Sequence, residues 1–385
     1  MKKLTFLTML ALLGGSAFAQ SSWIGQDEKN FISTGMPILL IAPDAISSGM
    51  GDVGVATTPD AYSAHWNNAK FAFIEDAAGI STTYTPWLRN LNVGDMNLLY
   101  LGGYYRINSR STAAASLTYF TLGEIDHTDE EGNKISLIHP NEFAFDATYA
   151  LKLNENLSLG ATGRFMRSDL TNGLTINDGS GHTETHAANS LAADIGIYYQ
   201  NTIDKQQEIA FGAFISNLGA KFSYSDDDND KEFLPSNLRI GGRYTNRIDD
   251  YNKISVVLDA NKLLVPTPPL RNDTENWARY NSIGVIQGAL QSFYDAPGGM
   301  SEELQEVQIS TGAEYWYAET FAARIGYFYE HANKGGRQYA TIGVGLRYSH
   351  FSGDFAYLIP TTVISTNPLA NTMRISIGFD LKPTK

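Results

Sequence analysis

Alternation at period two dominates this chain. From Gly79 to Leu381 it falls into fourteen candidate β-strands whose gaps run short, long, short, long to the end. In the strand Ala340 to Ser349, one face carries Ala340, Ile342, Val344, Leu346 and Tyr348, and the other Thr341, Gly343, Gly345, Arg347 and Ser349. The last strand repeats the pattern, with Met373, Ile375, Ile377, Phe379 and Leu381 opposed to Arg374, Ser376, Gly378 and Asp380. The runs Phe143 to Leu151 and Leu191 to Tyr199 follow the same rule. Tilted strands of about ten residues suffice to cross a bilayer, whereas a spanning helix needs about 20 consecutive apolar residues, which the chain lacks beyond its N-terminal leader.

Alternation alone fits two architectures: a soluble sandwich with the apolar face as core, and a membrane barrel with that face in lipid and a polar lumen. Three features choose the barrel. Lys2 and Lys3, the apolar run Leu4 to Leu13, and Ala17-Phe18-Ala19 before Gln20 read as a secretory signal occupying residues 1–19. Short turns near Asn108 to Arg110, Asn154 to Asn156, Asn201 to Lys205, Arg247 to Tyr251, Ala318 to Thr320 and Phe351 to Gly353 alternate with long connections, the longest Val265 to Gln305. Outer-membrane barrels place tight turns in the periplasm and long loops outside the cell. Aromatics also gather just before the short turns, at Tyr104 and Tyr105, Tyr149, Tyr198 and Tyr199, Tyr244, Tyr315 to Tyr317 and Tyr348, as an interfacial girdle would. The expected fold is thus all-β, an integral outer-membrane antiparallel barrel of about 14 strands over residues 79–385, with extracellular long loops.

Forty-one acidic side chains against 28 basic give a formal net charge of −13, which makes nucleic acid an unlikely ligand for want of a basic face. The chain has no cysteine, so disulfides contribute nothing. In a barrel, Arg164, Arg239, Arg243, Arg324, Arg347 and Arg374 share the lumen with Asp146, Asp194, Asp259, Glu314 and Asp380, a packed polar interior cross-linked by ion pairs. Gly103, Gly160, Gly241 and Gly343 leave room for something to lie against the wall. Residues 20–78, with the apolar run Ile38 to Ala42 and glycines at 49, 51 and 54, read as a hatch folded into the periplasmic mouth; the competing reading is a strap outside the rim.

That segment carries a resemblance. Pro43 and Asp44, then Ser48-Gly49-Met50-Gly51-Asp52-Val53-Gly54-Val55-Ala56, then Asp60 and Trp66-Asn67-Asn68-Ala69-Lys70 resemble the N-terminal signature of the PorV family of the type IX secretion system, relatives of the FadL fatty-acid channel. Asn68 stands where the family pattern has proline. PorQ is a near relative. The resemblance implies a hatch built on Gly49, Met50, Gly51, Asp52, Trp66 and Asn67. It also implies a shuttle that associates with the translocon barrel SprA (also called Sov) and receives cargo by its C-terminal signal domain. The shuttle then delivers cargo to the sortase PorU for attachment to surface lipopolysaccharide, with PorQ and PorZ as further partners.

The longest loop offers a docking surface. Trp277, Tyr280, Ile283 and Ile286 sit at helical spacing, followed by Leu290 and Phe293, with Asn272, Asp273 or Thr274 as N-cap. An apolar helix face outside the membrane needs a partner or folds over the lumen as a lid. Enzyme signals are weak. His182 and His186 have the spacing of a zinc-protease helix, but the acid is Glu184, and Gly179 and Gly181 disfavour a helix; Asp178 completes no triad. Asp226, Asp228 and Asp230 lack the glycine and distal glutamate of a calcium loop, and the glycines at 49, 51 and 54 precede no phosphate-binding lysine pattern. No cofactor or metal is expected. The rival functions are a FadL-like channel for hydrophobic small molecules and a general porin, which the crowded lumen disfavours.

Overall fold

A sheet whose backbone lies in hydrocarbon has no water to pair with, so its two edges must meet. In the computed structural model, which describes residues 31–89, 95–128, 133–177, 182–226, 231–269, 274–361 and 372–382, they do. In chain order the strands are β1 (Ala78–Pro86), β2 (Asn97–Arg106), β3 (Ser111–Thr121), β4 (Ile125–Thr128), β5 (Lys134–Ile138), β6 (Asn141–Lys152), β7 (Leu157–Asp169), β8 (Thr175–Asn177) and β9 (His182–Glu184). They continue with β10 (Ala188–Thr202), β11 (Gln207–Gly219), β12 (Asn237–Arg247), β13 (Asn252–Leu263), β14 (Gln308–Tyr317), β15 (Phe321–Tyr329), β16 (Gln338–Tyr348), β17 (Phe351–Pro360) and β18 (Met373–Leu381). The pairs β4–β5 and β8–β9 are hairpins within loops; the other fourteen strands form one closed antiparallel barrel. The ring shuts where β1 meets β18, with Ala78 opposite Leu381 and Tyr84 opposite Ile375. Among the described residues no helix is long and apolar enough to cross a membrane.

Side-chain parity is strict. On β13, Ile254, Val256 and Leu258 are exposed, while Ser255, Val257 and Asp259 are buried. On β16, Ile342, Val344 and Leu346 point out, and Thr341, Gly343 and Gly345 point in. Exposed isoleucines, leucines and phenylalanines of this kind cover the ring, the arrangement that hydrocarbon stabilises and water would not. The aromatic series divides by parity. Tyr105, Tyr149, Tyr244, Tyr317 and Tyr348 are exposed on the outer face and Tyr199 and Tyr315 are half-buried on it, but Tyr104, Tyr198 and Trp316 are buried in the lumen, so three of the ten expected girdle residues do not face lipid. Gly103 likewise lies on the outer face of β2, not against the interior.

The short turns share a local chemistry. In each of four, an Asn or Asp side chain accepts backbone N–H groups just ahead of it: Asn108 from Arg110, Asn154 from Asn156 and Leu157, Asp204 from Gln206 and Gln207, and Asp249 from Tyr251 and Asn252. Such turns close tightly because the side chain substitutes for a missing backbone acceptor. The last short turn is Ser349 and His350, where Ser349 takes φ 59°; Phe351 to Gly353, expected to be that turn, opens β17 instead.

Residues 31–77 lie inside the ring. They comprise a 3-10 turn at Pro37–Leu40, α1 (Ala45–Ser48), α2 (Ser63–Trp66) and a second 3-10 stretch at Asn68–Phe73. The wall makes space for them with glycines: an added Cβ at Gly312 or Gly326 would strike Met50, at Gly343 Gly49, at Gly212 Val55, and at Gly160 or Gly196 Asn68. Gly241 instead admits the Asp259 carboxylate and Val55. Residues 1–30, including the expected signal sequence, and residues 272, 273, 178, 179, 181, 228 and 230 lie outside the described residues. Outward parity yields a direct expectation: Leu258→Arg, at the centre of β13, should destabilise the folded barrel by about 2–4 kcal/mol, the range for an arginine near the bilayer midplane. Denaturant titration in lipid vesicles measures this, and an unchanged midpoint would place Leu258 outside the hydrocarbon.

Candidate functional site

The motif residues of the N-terminal segment fasten that segment to itself and to the wall. Asp44 caps α1 by accepting the Ser47 N–H at 2.7 Å and, through its other oxygen, accepts the Trp66 indole N–H at 2.6 Å, tying the two halves of the motif together. Asn67 donates to the Val55 carbonyl and to the Ile197 carbonyl of β10, both at 3.0 Å. Asn68 donates to Thr162 of β7 at 2.9 Å. The fully buried Lys70 donates to the Gly54 carbonyl at 3.0 Å and to Thr57 at 2.8 Å. From the wall, Asp259 accepts the Gly54 and Val55 N–H groups at 2.6 and 2.9 Å, Thr341 accepts the Gly51 N–H at 2.8 Å, and Tyr339 donates to Asp52. Gly51 takes φ +75° against the Tyr327 backbone, a conformation and a closeness only glycine allows.

Between these contacts run two ion-pair clusters. Arg164 reaches Asp146 at 2.6 Å and Asp194 at 3.0 Å, and donates to Asn217, which sits at φ 59° beside a register shift between β10 and β11. Arg324 reaches Glu314 at 2.8 Å and Asp354 at 2.7 Å. Arg243 pairs with Glu208 and donates to Thr58 at 2.6 Å, while Arg347 lies over the Trp316 ring at 4.4 Å. Asp380 accepts from Tyr104 at 2.8 Å. Removing one partner of such a buried pair leaves an uncompensated charge, which costs more than the pair contributes. Arg239 and Arg374 differ: the first donates to Asn261 at 2.7 Å and stacks over Trp66 at 4.5 Å, and the second donates to the Ala42 carbonyl at 3.0 Å.

At the long-loop end, the connection from β13 to β14 carries α3 (Thr274–Ser282), α4 (Val285–Gln291) and α5 (Met300–Gln305). The residues expected to share one helix face do not. The chain is extended at Gly284, which ends the helical spacing between Tyr280 and Ile286. Trp277 and Tyr280 form edge-to-face ring contacts at 5.4 Å, and Tyr280 packs on Phe233 at 5.7 Å, beneath which Lys221 lies at 3.9 Å. Ile283 is half-buried, whereas Ile286, Leu290 and Phe293 are exposed together with Tyr294, Met300 and Leu304. Thr274, an expected cap, is the first helical residue.

A charged lattice anchors this insertion to the rim. Lys262 reaches Glu303 at 3.0 Å and Glu306 at 2.6 Å, and Lys334 reaches Glu302 at 2.6 Å and Glu306 at 2.9 Å. No sequence spacing marked it, because its members lie on three separate segments. At the hairpins, His182 lies on a strand and not a helix, so the zinc-helix spacing has no structural counterpart; His186 stands 3.4 Å from Asp226.

A closed fourteen-strand antiparallel ring with its N-terminal segment bonded to the inner wall and a helical insertion at one rim defines an outer-membrane β-barrel. The sequence profile described as type IX secretion system protein PorV matches residues 24–270, more than half of the chain. The chain belongs to the PorV family and is an outer-membrane component of type IX secretion. No curated protein matches it in sequence. Among solved structures, it is similar to the toluene transporter TodX of Pseudomonas putida, with TM-score 0.52 and 10% identity over 92% of this chain and 100% of that one. It is also similar to the toluene transporter TbuX of Ralstonia pickettii, with TM-score 0.51 and 12% identity over 89% and 98%. At such identity these likenesses establish the fold alone, a FadL-like barrel.

Two expectations follow. Asp259→Ala should release the Gly54 and Val55 amides, each losing a bond to a charged acceptor, and raise their hydrogen exchange by about tenfold or more. Unchanged exchange at those amides would show that Asp259 does not hold the segment. In the insertion, burial pushes the Asp295 carboxyl up to about 6. The folded state therefore holds a proton there that the unfolded chain has released, so this contribution to stability is present at low pH and is lost as pH rises toward about 6. After correction for intrinsic rates, exchange in α4 and α5 should be slower at pH 5 than at pH 7, and Asp295→Asn should abolish the difference. A difference that persists in that variant refutes the assignment.

Proposed function

We propose that this barrel acts as a shuttle in type IX secretion: it docks on the SprA translocon, takes each secreted protein by its C-terminal signal domain, and passes it to the PorU sortase complex with PorQ and PorZ. The observation that carries this reading is the exposed apolar surface Ile286, Leu290, Phe293, Tyr294 and Met300, raised on an insertion that ion pairs hold to the rim of a filled barrel. An apolar surface held rigidly outside the strand ring is stabilised by a protein partner. The long loops, on this reading, face the cell exterior, where cargo and lipopolysaccharide meet.

A second reading, a FadL-like channel for hydrophobic small molecules, is favoured by the shared fold with two toluene transporters. Two lumenal cavities have volumes of about 90 and 30 Å³. Conduction through these would require residues 31–77 to shift, against the bonds from Asp259, Thr341 and Tyr339.

Affinity purification from the native outer membrane, with mass spectrometry of bound proteins, tests the shuttle. The double variant Ile286→Glu with Leu290→Glu should lower recovery of SprA or of a cargo signal domain by about tenfold or more, the loss expected for removing central apolar anchors. Full recovery with a correctly inserted barrel would sink the docking surface, and toluene or fatty-acid uptake by the wild type would favour the channel.

A further inference from the structure

Arg239 and Arg374 are buried lumenal cations for which the described residues show no ion pair, as is Lys70, which is held by a carbonyl and a hydroxyl. Arg164, Arg243 and Arg324 each reach at least one carboxylate; Arg239 and Arg374 reach only an amide and a backbone carbonyl. Both are more than nine-tenths buried, and both line the same cavity of about 90 Å³. A third arginine at that cavity, Arg337, is already neutralised by a two-pronged pairing with Glu330, at 2.8 Å to each oxygen. Among the described residues the one acid on the cavity wall is Asp52, which accepts from Tyr339 and keeps its second oxygen buried without a partner. Trp66, Trp87, Phe328 and Leu358 supply apolar wall, and Asn237, Asn261 and Gln308 add neutral polar groups.

Two buried guanidinium groups facing the single carboxylate of Asp52 leave a positive balance at this cavity, which is costly away from bulk water unless a further anion joins them. The planar fork of a guanidinium matches a carboxylate in two-pronged geometry. We infer that this cavity is a binding site for a short-chain carboxylate, its head held between Arg239 and Arg374 and its stem against the Trp66 and Phe328 side. The volume admits several waters' worth of ligand atoms, which suits an acid of a few carbons and excludes a long acyl chain. Arg239 stacks on Trp66, the indole that Asp44 holds, so an anion bound there also braces the motif of residues 44–70. This site is independent of the docking surface, and its test does not depend on secretion.

The test is calorimetric titration of the full mature protein in detergent with sodium butyrate, sodium acetate and 1-butanol. Butyrate is expected to bind, and butanol to bind at least about tenfold more weakly, as loss of the charge-assisted bonds requires. Acetate matching butyrate would assign the affinity to the head alone, and acetate weaker than butyrate would assign part of it to the apolar wall; either result supports the site. Arg239→Gln and Arg374→Gln should each weaken butyrate by about tenfold or more, while Arg347→Gln, which lies outside this cavity, should not. Should either glutamine variant fail to fold, Asp52→Asn serves instead: removing the lone negative charge on the wall should tighten butyrate binding. Butanol binding as well as butyrate, no butyrate binding at all, or binding indifferent to these substitutions would overturn the inference.

Discussion

The constraint beneath this structure is that backbone N–H and C=O groups in hydrocarbon must find partners within the sheet. Closure of β1 on β18 meets it and leaves no edge. Once the ring is closed, each strand has one face in lipid and one in the lumen, so apolar residues at Ile254, Val256 and Leu258 and polar ones at Ser255 and Asp259 follow as one consequence. A ring of fourteen strands is too wide for its own side chains to fill, and the lumen must hold either water or protein.

Here it holds protein, and the manner of filling links the family motif to the wall. The N-terminal segment lacks a sheet partner, so its backbone amides are satisfied by side chains: Asp259, Thr341 and Ser376 each accept from it. Glycines at 312, 326 and 343 let it approach. At the rim, Lys262 and Lys334 clamp the helical insertion with three glutamates, which holds up the surface proposed for docking. A barrel built this way is suited to presenting a surface, which fits membership in a secretion family whose solved FadL-like neighbours include transporters.

The ring was legible in the sequence because period two is a property of each strand alone. Ile342, Val344 and Leu346 announce their face without reference to any neighbour. By the same parity Arg164, Arg239, Arg324 and Arg374 fall on the buried face of their strands, whereas Arg347 is exposed. What parity does not carry is partnership: Asp259 meets Gly54 across 205 residues, and the sequence holds no mark of that pairing. Adjacent aromatics misled for a related reason. Tyr104 and Tyr105 look alike, yet consecutive residues on a strand face opposite ways, one to Asp380 and the other outward. The helical insertion misled because Trp277 to Ile286 keep helical spacing across Gly284, where the chain is extended, so the apolar residues divide into a packed set and an exposed set. The recurring pairs Ile107-Asn108, Leu153-Asn154, Ile203-Asp204 and Ile248-Asp249 were a turn signal available in the sequence and explain why these four turns are tight.

The central claim is that the apolar faces of these strands lie in lipid and the polar faces do not. Because the chain contains no cysteine, single cysteines can be placed and labelled without background. Fluorescent labels at Val256, Leu258, Ile342 and Ile377 should be quenched strongly by brominated acyl chains, and labels at Ser255, Thr341 and Ser376 should not. Equal quenching of the two sets, or quenching of neither, would contradict the account.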